Sequence, residues 1–230
     1  MPQIQKTCTF SKQITIPVTR HYLLYLPKDY QQEQQNRWPL VLFLHGMGER
    51  GEDLRLVTRH GPPKLVEEGR DLPFLLVSPQ CPSYGWWGWD TNIHALAALL
   101  DELEHTYAVD PDRLYVTGIS MGGYGTWALA NAYPNRFAAI APICGGGNPS
   151  TICDIRHVPV WTFHGDLDQA VPLQQTMELV DALRACGGNV RLTVYPGVGH
   201  DSWTQTYANL ELYMWLLEQR RVAQPHENRD

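Results

Sequence analysis

The sequence predicts an α/β fold in which helices cover both faces of a mostly parallel sheet. Apolar runs of strand length alternate with longer segments, such as 93–107, whose apolar residues recur at helical spacing. The run from Pro39 to Leu44 is almost wholly apolar, as expected of a central parallel strand that is buried on both faces. Such alternation favours a parallel sheet with short connections. Residues that perform chemistry should then lie at the carboxyl ends of the strands.

The predicted elements follow one another regularly along the chain. The predicted strands cover 7–16, 21–26, 39–44, 73–77, 114–116, 137–143, 158–163 and 190–195. The predicted longer helices cover 93–107, 121–133, 176–186 and 203–220. The first two strands are expected to form an antiparallel hairpin at the sheet edge. The loop 144–157 is too short to hold an inserted cap domain, so we expect an open, shallow site.

The bulk properties indicate one soluble domain. The 230 residues suit a single catalytic domain over 1–222, followed by a polar tail over 223–230. The net charge of -6, without a block of Lys or Arg, argues against nucleic acid or an anionic membrane as a partner. No apolar run has the length of a membrane span, and the first residues lack a signal-peptide pattern. A cytoplasmic location is therefore expected, with a trimmed secreted form as the alternative.

The five cysteines show no framework or metal-ligand spacing. Free thiols are expected, although Cys144 and Cys153 flank one loop and a bridge between them stays open. No C-x-x-C or His-x-x-x-His pattern is present, so we expect neither a metal nor a cofactor.

The segment from Gly118 to Gly122 has the pattern G-x-S-x-G between a predicted strand and a predicted helix. This context is typical of a nucleophile elbow, in which a tight turn lifts the serine hydroxyl above the sheet. Side chains two residues before and after the serine would collide, which explains the glycines. Ser120 is therefore the candidate nucleophile. The alternative is an ordinary glycine-rich turn with an incidental serine.

Two later strand ends supply partners for this serine. Asp168 follows the strand 158–163, and His200 lies in a glycine-rich loop after the last strand. A histidine can take the hydroxyl proton, and a buried carboxylate can fix the imidazole tautomer. Asp166 competes with Asp168 but better suits holding the turn. Of the other histidines, His45 and His164 lie in His-Gly turns, where an imidazole more often bonds loop backbone.

An oxyanion hole requires two N–H donors near the nucleophile. One should be the backbone of Met121, directly after Ser120, and the other should come from the loop after the strand 39–44. We select Met47 in that loop. Glu49 is expected to anchor the loop, with Arg50 or Arg55 as partner.

Aromatic residues are concentrated in one loop before the first long helix. Three tryptophans within four residues, Trp86, Trp87 and Trp89, cannot easily all be buried from one loop. They are candidates for an aromatic wall that binds substrate, together with Trp203 near His200. Core packing is the alternative, and it should hold for one or two of them.

Three segments, 44–51, 110–127 and 195–203, resemble the "predicted peptidase" group of α/β-hydrolase esterases. That group is related to the phospholipase/carboxylesterase, dienelactone hydrolase, polyhydroxybutyrate depolymerase and feruloyl esterase lineages. The likeness runs from about Arg20 to Arg220. It implies the α/β-hydrolase fold and a serine carboxylesterase with Ser120, Asp168 and His200 at the triad positions.

The expected function is hydrolysis of short-chain acyl or aryl carboxylic esters through an acyl-enzyme, with a small-molecule ester as the partner. One alternative is an esterase that removes feruloyl or acetyl groups from plant cell walls. A serine peptidase is less favoured, because the chain shows no signature of an extended substrate groove. The alternative from another class is a catalytically silent binding module of the same fold.

Overall fold

One seven-stranded sheet organises the part of the chain that the computed structural model describes, which is residues 15, 17–31 and 36–221. The strands lie in the order β1-β3-β2-β4-β5-β6-β7. Neighbours are parallel except that β1 runs antiparallel to β3. The strands are β1 (Tyr22–Tyr25), β2 (Trp38–Leu44), β3 (Leu75–Pro79), β4 (Val109–Ile119), β5 (Ala139–Ile143), β6 (Val160–Gly165) and β7 (Val190–Tyr195). The predicted fold class is confirmed. The predicted strand 7–16, and so the predicted hairpin, lies outside the described residues except for residue 15. The predicted tail 223–230 also lies outside them.

Six α-helices connect and cover these strands within the described ranges. They are α1 (Gly61–Glu67), α2 (Asp90–Thr106), α3 (Met121–Ala132), α4 (Leu173–Ala185), α5 (Trp203–Ala208) and α6 (Leu210–Glu218). The single closing helix predicted over 203–220 is wrong. Asn209 has extended backbone angles, and its side chain accepts a hydrogen bond from the Glu211 amide, which starts a new helix. None of the helices in the described part is long and apolar enough to cross a membrane.

The sheet separates two apolar layers. Alternate residues of β2 point to opposite faces, so Leu42 packs on the side of α2, α3 and α4, while Phe43 packs on the side of α5 and α6. This two-sided burial explains the continuous apolar run in the sequence. The connection from β5 to β6 holds only a short 3-10 helix, Ile152–Ile155, so no cap domain is inserted there. No cap therefore covers the carboxyl ends of the strands from this connection.

The cysteines depart from the sequence expectation. Cys153 and Cys186 form a disulfide with their Cα atoms 5.9 Å apart, which ties the 3-10 helix to the end of α4. The expectation of free thiols is therefore wrong for Cys153 and Cys186. Cys144 is a buried free thiol, so the bridge to Cys153 that the sequence left open is absent. The partners lie 33 residues apart, and only the packing of α4 on this loop brings them together.

Candidate active site

Ser120 lies in the sharp turn between β4 and α3. Its backbone angles are φ 52° and ψ -114°, a conformation that non-glycine residues rarely adopt. The turn leaves no room for side chains around it. A Cβ atom at Gly118 would lie 2.4 Å from the Gly122 carbonyl oxygen, and one at Gly122 would lie 1.9 Å from the Leu44 oxygen. The glycines of the motif are therefore required by close backbone packing, as the sequence predicts.

The structure brings together the three residues predicted from separate strand ends. The Ser120 hydroxyl lies 2.9 Å from His200 Nε2, and His200 Nδ1 lies 2.7 Å from Asp168 Oδ2. A neutral imidazole with its proton on Nδ1 satisfies both contacts, since Nδ1–H donates to Asp168 and Nε2 accepts from Ser120. The arrangement can move a proton from the hydroxyl to the imidazole.

Asp168 is held as a buried, ionised acceptor. Its Oδ1 accepts hydrogen bonds from the backbone amides of Ala170 and Val171, each at 2.9 Å. Burial raises the pKa of Asp168, but hydrogen bonds from His200 and from these amides outweigh burial and hold the pKa below its ordinary value. Asp166 instead accepts from the Gly197 amide at 2.7 Å and fixes the loop after β7. The two aspartates therefore have different partners, Asp168 the candidate base His200 and Asp166 the loop after β7.

His164 makes a contact with Asp168 that its sequence context does not predict. It is fully buried, and its Nε2 lies 2.8 Å from the Val171 carbonyl oxygen and 3.2 Å from Asp168 Oδ2. Burial lowers the pKa of His164, which favours the neutral form. The predicted bond to loop backbone is present, and the same ring nitrogen also faces the acid. The spacing of four residues in a loop gives no such signal.

The loop after β2 approaches the elbow from the neighbouring strand. His45 is buried, its Nδ1–H donates to Gly46 O at 2.6 Å, and its Nε2 accepts from the Cys81 amide at 2.9 Å. Burial lowers the pKa of His45 to about 4, so the ring stays neutral at pH 7. Met47 follows in a short 3-10 helix, Met47–Glu49, with a half-exposed side chain. Met121 directly follows Ser120 and is the first residue of α3.

Trp87 is not part of a surface wall, which corrects the expectation for this residue. Its side chain is 1% exposed, and its Nε1–H donates to the His45 carbonyl oxygen at 3.0 Å. It also meets the His45 ring edge to face, with centroids 5.1 Å apart. Trp87 therefore supports the loop that carries Met47. Trp87 can be buried because it packs beside Gly125 of α3, where an added Cβ would lie 2.5 Å from Trp87 Cβ, in the core layer that also holds Leu44 of β2.

The remaining predicted tryptophans lie in three different settings. Trp86 is half-buried and packs on Tyr124 of α3, with ring centroids 5.5 Å apart. Trp89 is 54% exposed just before α2. Trp203 meets the His200 ring edge to face at 5.2 Å, and its Nε1–H donates to His60 Nδ1 at 3.3 Å. Trp203 thus contacts the candidate base itself.

Glu49 does not pair with the arginines expected for it. Its buried carboxylate lies 3.8 Å from His60 Nε2, whereas Arg55 pairs with Asp53. The Glu49 carbonyl accepts from the Gln80 side chain at 2.8 Å, so the loop is anchored to the end of β3. Glu49 therefore anchors the loop, but its partners are His60 and Gln80, which the sequence gives no reason to place near it.

One group of metal-ligating atoms occurs among the described residues. One ligand atom each of Cys144, Asp168 and His200 lies within 4.8 Å of the others. The carboxylate and the imidazole are already hydrogen-bonded to each other, and burial raises the pKa of the Cys144 thiol to about 12. A metal ion would need Cys144 as a thiolate and would compete with the hydrogen bond between Asp168 and His200. The three residues therefore fit a hydrogen-bonded acid–base pair beside a neutral thiol better than they fit a metal site.

The fold and this site define the chain as an α/β-hydrolase. The sheet order, the elbow and the chain order Ser…Asp…His are those of that class. The family model described as the dienelactone hydrolase family matches residues 86–211, and the chain belongs to this family.

Proteins that resemble this chain in sequence or structure are named as esterases. A solved thermostable esterase is 36% identical with a TM-score of 0.77, over 87% of this chain and 59% of that one. A bifunctional acetylxylan esterase/xylanase of Neocallimastix patriciarum is 30% identical over 60% of this chain and 20% of its own length. The protein named "Probable feruloyl esterase C" from Aspergillus terreus is 26% identical over 70% of this chain and 60% of its own. The chain therefore spans between a fifth and three fifths of the length of these relatives.

Proposed function

We propose that this chain is a serine carboxylesterase that hydrolyses short-chain acyl or aryl esters through an acyl-enzyme intermediate. The observation that supports it most strongly is the pair of contacts from Ser120 Oγ to His200 Nε2 at 2.9 Å and from His200 Nδ1 to Asp168 Oδ2 at 2.7 Å. The esterase relatives named above support ester hydrolysis as the reaction.

Acylation begins when Ser120 Oγ attacks the ester carbonyl carbon. The hydroxyl proton passes to His200 Nε2, and the carbonyl electron pair moves onto oxygen to give a tetrahedral intermediate. The intermediate collapses, the bond to the leaving alkoxy group breaks, and that oxygen takes the proton from His200 Nε2. The products are an acyl group on Ser120 and a free alcohol.

Deacylation repeats the same proton path with water. A water molecule gives its proton to His200 Nε2 and attacks the acyl carbon. When the second tetrahedral intermediate collapses, the bond to Ser120 Oγ breaks and the proton returns to that oxygen. The carboxylate of Asp168 stabilises the imidazolium that forms in both steps without taking a proton.

The oxyanion of each intermediate needs donors that are already in place. We assign the backbone N–H groups of Met47 and Met121 to this role, because Met121 directly follows Ser120 at the start of α3 and Met47 lies in the loop after β2, the strand paired with β4. The start of α3 adds the positive end of the helix dipole. The side chains of both methionines are not needed for this task.

A second candidate function is removal of feruloyl or acetyl groups from plant cell-wall polysaccharide. The Trp86–Tyr124 pair favours a planar acyl group, because Tyr124 lies one helical turn after Ser120 and Trp86 packs on it. The names of two relatives point the same way. A peptidase and a silent binding module have no such observation in their favour.

The proposal is tested by hydrolysis of p-nitrophenyl esters from acetyl to long acyl, with a feruloyl ester alongside. We expect activity on short esters that is lost in Ser120→Ala. A preference for the feruloyl ester that falls in Trp86→Ala would favour the second candidate. Ester hydrolysis that survives Ser120→Ala, or ligand binding without any hydrolysis, would contradict the serine mechanism.

A further inference from the structure

His200 has a neighbour that the serine mechanism does not use. The rings of His200 and Trp203 are perpendicular, with an interplanar angle of 90° and centroids 5.2 Å apart. Trp203 begins α5, three residues after His200. Edge-to-face aromatic pairs favour one relative orientation of the two rings. Trp203 therefore restricts rotation of the imidazole about its hydrogen bond to Asp168.

Trp203 is in turn held by His60. The indole Nε1–H donates to His60 Nδ1 over 3.3 Å, and these two rings also meet edge to face with centroids 5.4 Å apart. His60 directly precedes α1, which packs against α5. The hydrogen bond requires that His60 Nδ1 carry no proton, because the indole nitrogen can only donate.

Glu49 favours the tautomer of His60 that this bond requires. Its carboxylate Oε1 lies 3.8 Å from His60 Nε2, a distance for charge attraction rather than a hydrogen bond. The Glu49 side chain is only 8% exposed, so its charge is weakly screened by solvent. A proton on Nε2 is therefore favoured, and Nδ1 is left as the acceptor for Trp203.

We propose that Glu49, His60 and Trp203 are positioning residues that form a relay, in which each residue orients the next and Trp203 orients the His200 imidazole for proton transfer. The proposal rests on the serine mechanism given above. In that mechanism His200 exchanges a proton with three oxygen atoms in turn, those of Ser120, the leaving alcohol and water. A ring that turns away from any of them slows the reaction, because proton transfer needs a near-ideal approach. The three residues act through His200 and do not touch the reacting atoms.

The central test compares His60→Asn with His60→Leu. The two side chains have the same branching, but Asn places its Oδ1 near the position of His60 Nδ1 and can accept from Trp203. The usual helix-capping role of Asn does not compete, because Pro62 and Pro63 have no N–H to offer. With p-nitrophenyl acetate, we expect His60→Leu to lower kcat about tenfold with KM nearly unchanged. His60→Asn should recover most of this loss.

Trp203→Phe tests the same hydrogen bond from the side of the donor. It keeps an aromatic ring beside His200 but removes the N–H, so we expect a loss in kcat similar to that of His60→Leu. The double variant of His60→Leu and Trp203→Phe should be no slower than the slower single variant, because both changes break the same hydrogen bond. A double variant whose loss in kcat equals the product of the two single losses would overturn the relay.

His94→Leu is the matched control. His94 also contacts an aromatic residue, with Nδ1 2.8 Å from the Tyr133 hydroxyl and perpendicular rings, but it lies on α2 outside the site. We expect its kcat to equal that of the wild type. A similar loss in His94→Leu and His60→Leu would show a general effect of removing a histidine and would overturn the relay.

A readout independent of activity is the indole N–H signal of Trp203 in a proton–nitrogen correlation spectrum, assigned through Trp203→Phe. We expect the signal to shift in His60→Leu and to return towards its wild-type position in His60→Asn. Equal kcat values for wild type, His60→Leu and His60→Asn would overturn the relay and leave the serine esterase in place. Absence of any Ser120-dependent hydrolysis in the wild type would overturn the proposed function, and the relay with it.

Discussion

The two sides of the site are held in place by different means. The acid–base side, Ser120, His200 and Asp168, is a line of side-chain hydrogen bonds between three strand ends. The proposed oxyanion side is the loop 45–49, whose Met47 N–H we assign as a donor, and this loop is fixed by hydrogen bonds to buried side chains. Trp87 and Gln80 bind its carbonyl groups, and His45 bonds within the loop and to the end of β3.

The side chains of the acid–base side take part in the proposed reaction, whereas the side chains of the other side only hold a loop in place. On the proposed acid–base side, a change of one atom should remove a step of the reaction and leave the fold intact. On the oxyanion side the side chain at Met47 should matter little. Substitution of the buried residues that hold the loop 45–49 should lower both activity and the stability of the fold.

The largest expected effect lies on the acid–base side. Asp168→Asn should lower kcat by about 10⁴-fold, because an amide no longer fixes the tautomer or stabilises the imidazolium. Asp166→Asn changes the same charge two residues away, at the carboxylate that binds the Gly197 amide, and should retain nearly full turnover. Steady-state kinetics on a short p-nitrophenyl ester decides the matter. The reverse result would reassign the acid to Asp166.

The next effect concerns the backbone donor on the oxyanion side. Met47→Pro removes the N–H at the first position of a short 3-10 helix, where Gly46 already has the extended backbone that proline requires before it. We expect kcat to fall by about 10²- to 10³-fold. Met47→Ala keeps the N–H and should lose far less. Equal losses in the two variants, measured on p-nitrophenyl acetate, would mean that the side chain rather than the amide matters.

His45 should make the stability of the fold depend on pH. The unfolded imidazole takes up a proton near its ordinary pKa of 6.5, whereas burial lowers the pKa of His45 in the fold to about 4. Between these values the unfolded state binds more protons, so the free energy of unfolding falls as pH falls, by about 3 kcal/mol in total.

His45→Gln removes this titration and is the comparison for that measurement. Urea unfolding at several pH values from 7 to 4.5 should show a smaller loss of stability in the variant than in the wild type. Parallel curves for the two proteins would contradict a neutral, buried His45.

The smallest effect separates two buried tryptophans of one core layer. Trp87→Phe loses ring volume and the hydrogen bond to the His45 carbonyl, whereas Trp127→Phe loses volume only, since Trp127 Nε1 has no hydrogen-bond partner. The first variant should be destabilised by about 1 kcal/mol more than the second. Only Trp87→Phe should also lower kcat severalfold, because it loosens the loop 45–49. Equal kcat values would separate Trp87 from the site.

The sequence predicts the features that depend on local chain geometry. The elbow follows from Gly118 and Gly122, and the candidate acid and base follow from their places after successive strands of a parallel sheet. The features that it does not predict depend on packing between distant segments. Trp87 is buried by β2 and α3, Cys153 meets Cys186 through α4, and neither contact leaves a spacing pattern.

The break in the last helix shows the same limit on a smaller scale. The apolar spacing of 203–220 suits one continuous helix, but Asn209 ends α5 and caps α6. Likewise, His60 has no motif around it that relates it to His200, because only the packing of α1 on α5 brings it to Trp203.

The most direct test of the central claim is covalent labelling with a fluorophosphonate, followed by peptide mass spectrometry. We expect one adduct, on Ser120, together with complete loss of ester hydrolysis. His200→Ala should label far more slowly, because the hydroxyl then has no base. Full esterase activity after labelling of Ser120, or an adduct on another residue that tracks the loss of activity, would contradict the account.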